Sequence, residues 1–242
     1  MVEAALWGFV GGIALLIGAL IGLFLPTSQR TIGLVMAFGG GVLISALAFE
    51  LTDEAYRRGG VAAVAGGLAA GSLTFFAGDW LVDRHGGENR KSSSGEQSDG
   101  SGKAIVLGAL MDGIPESVAI GVSLIGGGAV GASVVAAVFL SNIPESLSAA
   151  TGLRKAGKSN IYVLGLWTAV LVASTVASVM GYAFLGSASG TVIAAIQAFA
   201  AGAILTMLAD TMMPEAFEHG GGVVGLMTVF GFSLSFMLSR LG

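Results

Sequence analysis

The 242-residue chain is 54% hydrophobic and 11% charged, with 40 Gly, no Cys and a net charge of −4. Soluble domains carry roughly a quarter charged residues, so the 11 basic and 15 acidic side chains here are too few to coat a soluble surface. This excludes a soluble enzyme, a disordered chain and a disulfide-stapled secreted domain, and leaves a polytopic membrane protein.

Apolar runs long enough to cross a bilayer, about 17–25 residues, fall at 5–25, 32–51, 61–82, 104–125, 129–151, 161–183, 191–213 and 222–239. They occupy about 170 positions and leave no room for a second folded unit, so residues 1–242 read as a single membrane domain. The runs are too long and too uniform for the alternating strands of a barrel. The predicted class is therefore an all-α integral membrane protein with eight transmembrane helices. The first run has only Glu3 ahead of it and no Lys or Arg, which predicts a retained span rather than a cleaved signal. It carries Gly8/Gly12 and Gly18/Gly22, and similar pairs recur at Gly67/Gly71 and Gly221/Gly225. Such spacing lets helix backbones approach closely, either within one bundle or, for one or two of the pairs, across a homodimer face.

The second run ends at Glu50 and the third contains Asp79; each either lines an ion path or caps a helix end near water. Between the third and fourth runs, DRHGGENRKSSSGEQSDGSGK (83–103) is too polar to order itself and reads as a flexible cytoplasmic loop, with His85 solvated in it. With the N-terminus outside, the inward loops hold Arg30, Arg84, Arg90, Lys91, Lys103, Arg154, Lys155 and Lys158, against Arg57, Arg58 and Arg240 outside. Basic residues favour the cytoplasmic side, so this predicts a cell-membrane protein with both termini outside. Trp7, Trp80 and Trp167 fall near predicted span ends and read as interface anchors.

Every Lys and Arg lies outside the predicted spans, whereas Glu50, Asp79, Asp112, Glu116, Glu145, Asp210 and Glu215 lie within them or at their ends. Carboxylates at depth are costly unless protonated, hydrated or paired. With no basic partner in the spans, the expected counter-charge is a proton or a cation. The fourth run reads Asp112-Gly-Ile-Pro-Glu116-Ser117 and the fifth Ser141-Asn-Ile-Pro-Glu145-Ser146. Asp112 and Glu116 share a helix face, as do Ser141 and Glu145, with Asn142 alongside. Each Pro frees the carbonyl four residues earlier, at Met111 and Leu140. Carboxylates, an amide, hydroxyls and carbonyls together form an oxygen shell suited to a divalent cation. A single Pro-Glu is equally well a tolerated kink beside a protonated packing residue; the repeat of Ile-Pro-Glu-Ser 29 positions later argues against that.

A second internal match, at an offset of 161, aligns Ala37, Phe38, Gly41, Leu47, Ala48, Glu54 and Ala55 with Ala198, Phe199, Gly202, Leu208, Ala209, Glu215 and Ala216. Spans 2 and 7, like 4 and 5, would run in opposite directions. That is the signature of a 3+2+3 inverted-repeat transporter bundle.

These motifs resemble those of the ZIP (Zrt/Irt-like) family of divalent metal transporters, over nearly the whole chain. The resemblance implies eight spans, both termini outside, a variable inward loop after span 3, and metal ligands on spans 4 and 5. The family's span 4 usually reads His-Asn-x-Pro-Glu-Gly; Asp112 stands in place of the His, Gly113 of the Asn and Ser117 of the Gly, while Glu116 is kept. In span 5, Ser141 takes the His position, and Asn142, Pro144 and Glu145 are kept. Asp210-Thr-Met-Met-Pro-Glu215 is similar to the family's His-Glu-x-x-Pro-Glu. The implied metal set is Asp112, Glu116, Ser141, Asn142 and Glu145, with Glu50, Asp79, Asp210 and Glu215 along the path. All transmembrane His are absent; zinc favours nitrogen and sulfur, and the donors left are oxygen, joined by the Met111 thioether if it faces inward, which predicts a harder or less selective site for a dication of zinc, iron or manganese type. The metal is substrate rather than cofactor, the partners are that ion and the lipid bilayer, and no nucleic acid is expected. Alternatives are a proton- or sodium-coupled carrier of a small organic substrate, and a metal-binding protein that transports nothing. An enzyme is not expected, because His85 and His219 both fall in predicted loops and cannot flank a Glu or serve a Ser within a span.

Overall fold

The computed structural model describes residues 1–95, 102–126 and 129–241. Among these the chain is helical throughout, with no strand: α1 Val2–Phe24, α2 Gln29–Ala46, α3 Asp53–Val82, α4 Gly102–Ser123, α5 Ala129–Lys155, α6 Asn160–Leu185, α7 Gly190–Met207, α8 Met213–Gly220 and α9 Val224–Leu241. Serines start three of them. Ser28, Ser159 and Ser189 sit in extended backbone and accept the N–H of Thr31, Tyr162 and Val192, occupying a donor that the first helical turn would leave unpaired. Residues 96–101 of the predicted 83–103 loop lie outside the described residues.

Six helical stretches are long and apolar enough to cross a membrane: Val2–Phe24, Gln29–Gly87, Ala104–Ser123, Ser133–Lys155, Asn160–Leu185 and Gly190–Arg240. The two longest hold 59 and 51 residues. As straight rods they would measure about 88 and 77 Å, against roughly 30 Å of hydrocarbon. Neither is straight. The backbone leaves the helix at Gly60 (φ 71°, ψ −176°) and again at Gly221 (φ 68°, ψ −156°), conformations that favour glycine. A π-helical turn precedes each break, at Leu47–Thr52 and Leu208–Met212. The capping serines, the bounds of α2 and α7, the first residues of the π turns and the two glycines are all separated by 161 positions.

Packing follows the same correspondence. α3 lies along α7 and α2 along α9, while α1 packs on α5 and α6, and α4 on α6. Gly71 faces the carbonyl of Phe199, and Gly231 that of Phe38, so a Cβ at either glycine would meet backbone. Gly8/Gly12 lie against α6 and Gly18/Gly22 against α5, the close approach expected of small-residue pairs inside a bundle. Gly221/Gly225 is different: nothing lies within 4 Å of a Cβ at either position, and Gly221 is the backbone break.

α4 and α5 divide the apolar interior. Ala119, Ile120, Val134, Val135, Val138 and Leu147 join a core built with α2, α7, α8 and α9. Ile105, Ala109, Ala149, Ala150 and Leu153 join a second core with α1 and α6. Where the two helices pass each other their own contact is narrow, and the acidic residues sit there.

Candidate metal centre

Pro115 and Pro144 lie inside α4 and α5, and the turn around each is reinforced in the same way. Ser117 Oγ donates to the Gly113 carbonyl at 2.7 Å, and Ser146 Oγ to the Asn142 carbonyl at 2.7 Å. Such back-bonding occupies a carbonyl beside the proline and tends to bend the helix. The carboxylates these turns carry are buried: Asp112 and Glu116 are each 1% exposed and Glu145 3%. Ser141 and Asn142 are buried with them. Their donors point elsewhere, Ser141 Oγ to the Val138 carbonyl (3.0 Å) and Asn142 Nδ2 to the Gly11 carbonyl of α1 (3.0 Å).

The expectation that no basic group reaches this depth is wrong. Arg90 and Lys91, from the predicted flexible loop, enter the bundle and are 3% and 5% exposed. Arg90 grips Asp112 with Nε (3.1 Å) and Nη2 (3.2 Å), reaches Asp79 at 2.5 Å, and lies 3.4 Å from Asp83. Lys91 Nζ sits between α4 and α5, 3.4 Å from Asp112 Oδ2 and 3.3 Å from Glu145 Oε1, but makes no hydrogen bond. The physical reason is the acid surplus itself: buried carboxylates on α3, α4 and α5 attract the nearest tethered cations, and a short polar connection can supply them. Burial opposes charge on Arg90, but Asp112 and Asp79 outweigh it and hold its pKa above the ordinary arginine value.

Glu116, like Lys91, stands without a hydrogen bond among the described residues. Neither of its carboxylate oxygens has a hydrogen-bond partner, although Glu145, Lys91 and Asp112 all lie within its electrostatic reach. A buried carboxylate without a partner is costly unless it is protonated, hydrated or paired with a cation.

The path candidates separate. Asp79 joins the cluster through Arg90. Asp210 and Glu215 line an adjoining cleft of about 130 Å³ together with residues 88–92, Thr211, Pro214 and Glu218. Glu215 also accepts the Ser93 N–H at 2.8 Å. Glu50 stands apart, on the first π turn, beside Ser239 and Arg240 of α9. Met111 lies against Gly78 of α3, where a Cβ would meet its sulfur.

Several groups were not anticipated from the sequence: Arg90, Lys91, Asp83, Ser148, Trp167 and His219. Trp80 is half exposed with Arg84 stacked 3.7 Å over its ring, as an interface residue would be, but Trp167 is 2% exposed and borders the Lys91 pocket. His219 is not in a loop: it lies in the last turn of α8, with Nε2 3.4 Å from Glu215 Oε1, and with Glu218 completes a trio of ligand atoms within 4.8 Å of one another. His85 hydrogen-bonds the Leu81 carbonyl (2.7 Å) at the exposed end of the third run. No protein-family model and no curated protein matches this chain.

Proposed function

We propose that this protein is a divalent metal permease of the ZIP type, built as eight spans in a 3+2+3 inverted repeat with the metal bound between spans 4 and 5. The observation that carries it is Glu116, buried without a hydrogen-bond partner on a proline-kinked helix and within electrostatic reach of Glu145 and Asp112. Five carboxylates (Asp79, Asp83, Asp112, Glu116 and Glu145) gather around two basic side chains, an acid-rich cluster of the kind that binds a dication. Glu116 and Glu145 would bridge the ion, Asp112 and the Asn142 side-chain oxygen would complete the shell, and Ser141 would assist with its lone pairs.

The repeat is supported by the 161-residue spacing of caps, π turns and glycine breaks, which divides each long stretch into two crossings at Gly60 and Gly221. Removing the buried Arg90 and Lys91 from the basic count leaves six residues on the inward loops against three outside, so both termini remain outside. An all-oxygen donor set points to manganese or ferrous iron as substrate.

Uptake of manganous ion into proteoliposomes tests this. The expected result is a saturable flux that is lost in Glu116→Ala/Glu145→Ala. Absence of any cation-dependent flux in the unaltered protein would sink it. One observation favours a second function: the Lys91 ammonium already occupies the space between the two helices, as it would in a metal-binding or purely structural protein that moves nothing. Manganese binding without flux is the result that would select it.

A further inference from the structure

The loop that carries Arg90 and Lys91 is fastened to the bundle by polar contacts. Ser93 N–H donates to Glu215 of α8 at 2.8 Å, Lys155 of α5 donates to the Ser93 carbonyl at 2.8 Å, and Ser148 of α5 lies 2.6 Å from the Lys91 carbonyl. Apolar burial has little part in this attachment, since residues 88–94 include no hydrophobic side chain.

We propose that Arg90 and Lys91 are a tethered counter-cation of the metal site. They offset two of its negative charges while no metal is bound, and a divalent ion enters by displacing them, which releases residues 88–95 from α5 and α8. This rests on the metal-permease function proposed above.

Three features carry it. The first is position: Lys91 Nζ bridges Asp112 of α4 and Glu145 of α5, the two helices a bound ion would join. The second is how loosely it is held. Charge-assisted N–H···O bonds run about 2.7–2.9 Å, whereas both Lys91 contacts are longer and none of its donors makes a hydrogen bond. An ammonium fixed only by two long ion-pair contacts is weakly held, and a better-ligated cation would displace it. The third is charge. Arg90 and Lys91 together carry two positive charges, as one dication does, so the exchange leaves the buried cluster electrically unchanged. Arginine has no accessible neutral form in proteins, so displacement is the route by which Arg90 leaves the cluster. The cleft of about 130 Å³ between the loop and Asp210, Thr211, Pro214 and Glu215 gives the departing side chains a polar space to enter.

The apparent metal affinity is then the intrinsic one reduced by the fraction of molecules whose loop is open. Manganous ion binding to the full-length purified protein, followed by electron paramagnetic resonance, tests this. Lys91→Met removes the occupant while leaving Arg90 to satisfy Asp112, and is expected to bind manganese on the order of tenfold more tightly. A second measurement uses the absence of cysteine from the chain. Ser93 is fully buried, so a maleimide should label Ser93→Cys slowly without metal and on the order of tenfold faster with it. Equal manganese affinity in Lys91→Met and wild type, with labelling indifferent to manganese and binding still lost in Glu116→Ala/Glu145→Ala, overturns the tethered cation and leaves the metal site standing. No manganese binding to either wild type or Lys91→Met overturns both.

Discussion

Arg90 and Lys91 are neighbours in sequence but hold the cluster in different ways. The planar guanidinium contacts Asp112 through two nitrogens and extends to Asp79 and Asp83, so three carboxylates depend on it. Among the described residues, the compact ammonium of Lys91 pairs with Asp112 and Glu145. Removing one partner of a buried ion pair costs about 3–5 kcal/mol because the other charge is left stranded. Arg90→Met should therefore lower the thermal unfolding midpoint of the purified protein clearly, and Lys91→Met should lower it less, since Asp112 keeps both bonds to Arg90. Arg90→Lys should not restore the loss, because an ammonium cannot span Asp79 and Asp112 together. Scanning fluorimetry in detergent reads all three, and equal midpoints for Arg90→Met and wild type would contradict the hierarchy. Saturating manganese should narrow the Lys91→Met deficit selectively, because the ion supplies the charge that the variant lacks.

At the scale of helices, the glycines make a sharper prediction than the polar residues. A methyl added at Gly71 would meet the Phe199 carbonyl of α7, and backbone cannot rotate aside as a side chain can. Gly71→Ala should cost about 1–3 kcal/mol. Gly225→Ala has nothing within 4 Å and replaces a glycine inside α9, so it should be neutral or stabilising by up to about 1 kcal/mol. The same thermal assay compares them, and equal destabilisation would refute the packing account. Helix positions were legible because a span is specified locally, by a run of apolar residues, a serine cap and a proline. The Pro-Glu turns of α4 and α5 could be located for the same reason. Two kinds of feature were not local. Trp167 looked like an interface residue because it lies within about two turns of the start of its run, but its ring is buried in a core that α6 shares with α1, α4 and α5. Arg90 and Lys91 lie in a segment whose composition is that of a solvated loop, and what draws them inward is a set of acids on three different helices. One cue was present: the connection between Asp79 and Asp112 contains an Arg-Lys pair, and a basic pair flanked by buried acids need not remain in water.

At the scale of the whole molecule, each half of the chain is incomplete without the other. α2 packs along α9 and α3 along α7, so the second and third helices are completed by segments from Gly190 onward. A chain ending after Leu185 should still insert into membranes but remain open to proteolysis within residues 29–82, which limited digestion of membranes carrying it would reveal. Adding residues 190–241 as a separate polypeptide should restore protection; failure of both fragments to protect each other would argue against this division. The pairing also sets a timetable for biogenesis. In a chain inserted into a membrane during synthesis, the glycine-lined faces of α2 and α3 would leave the translocon well before their partners exist, and they would spend that interval against lipid. Small residues suit such a wait, since they present little for the wrong helix to grip until the last-made segments arrive and close the bundle.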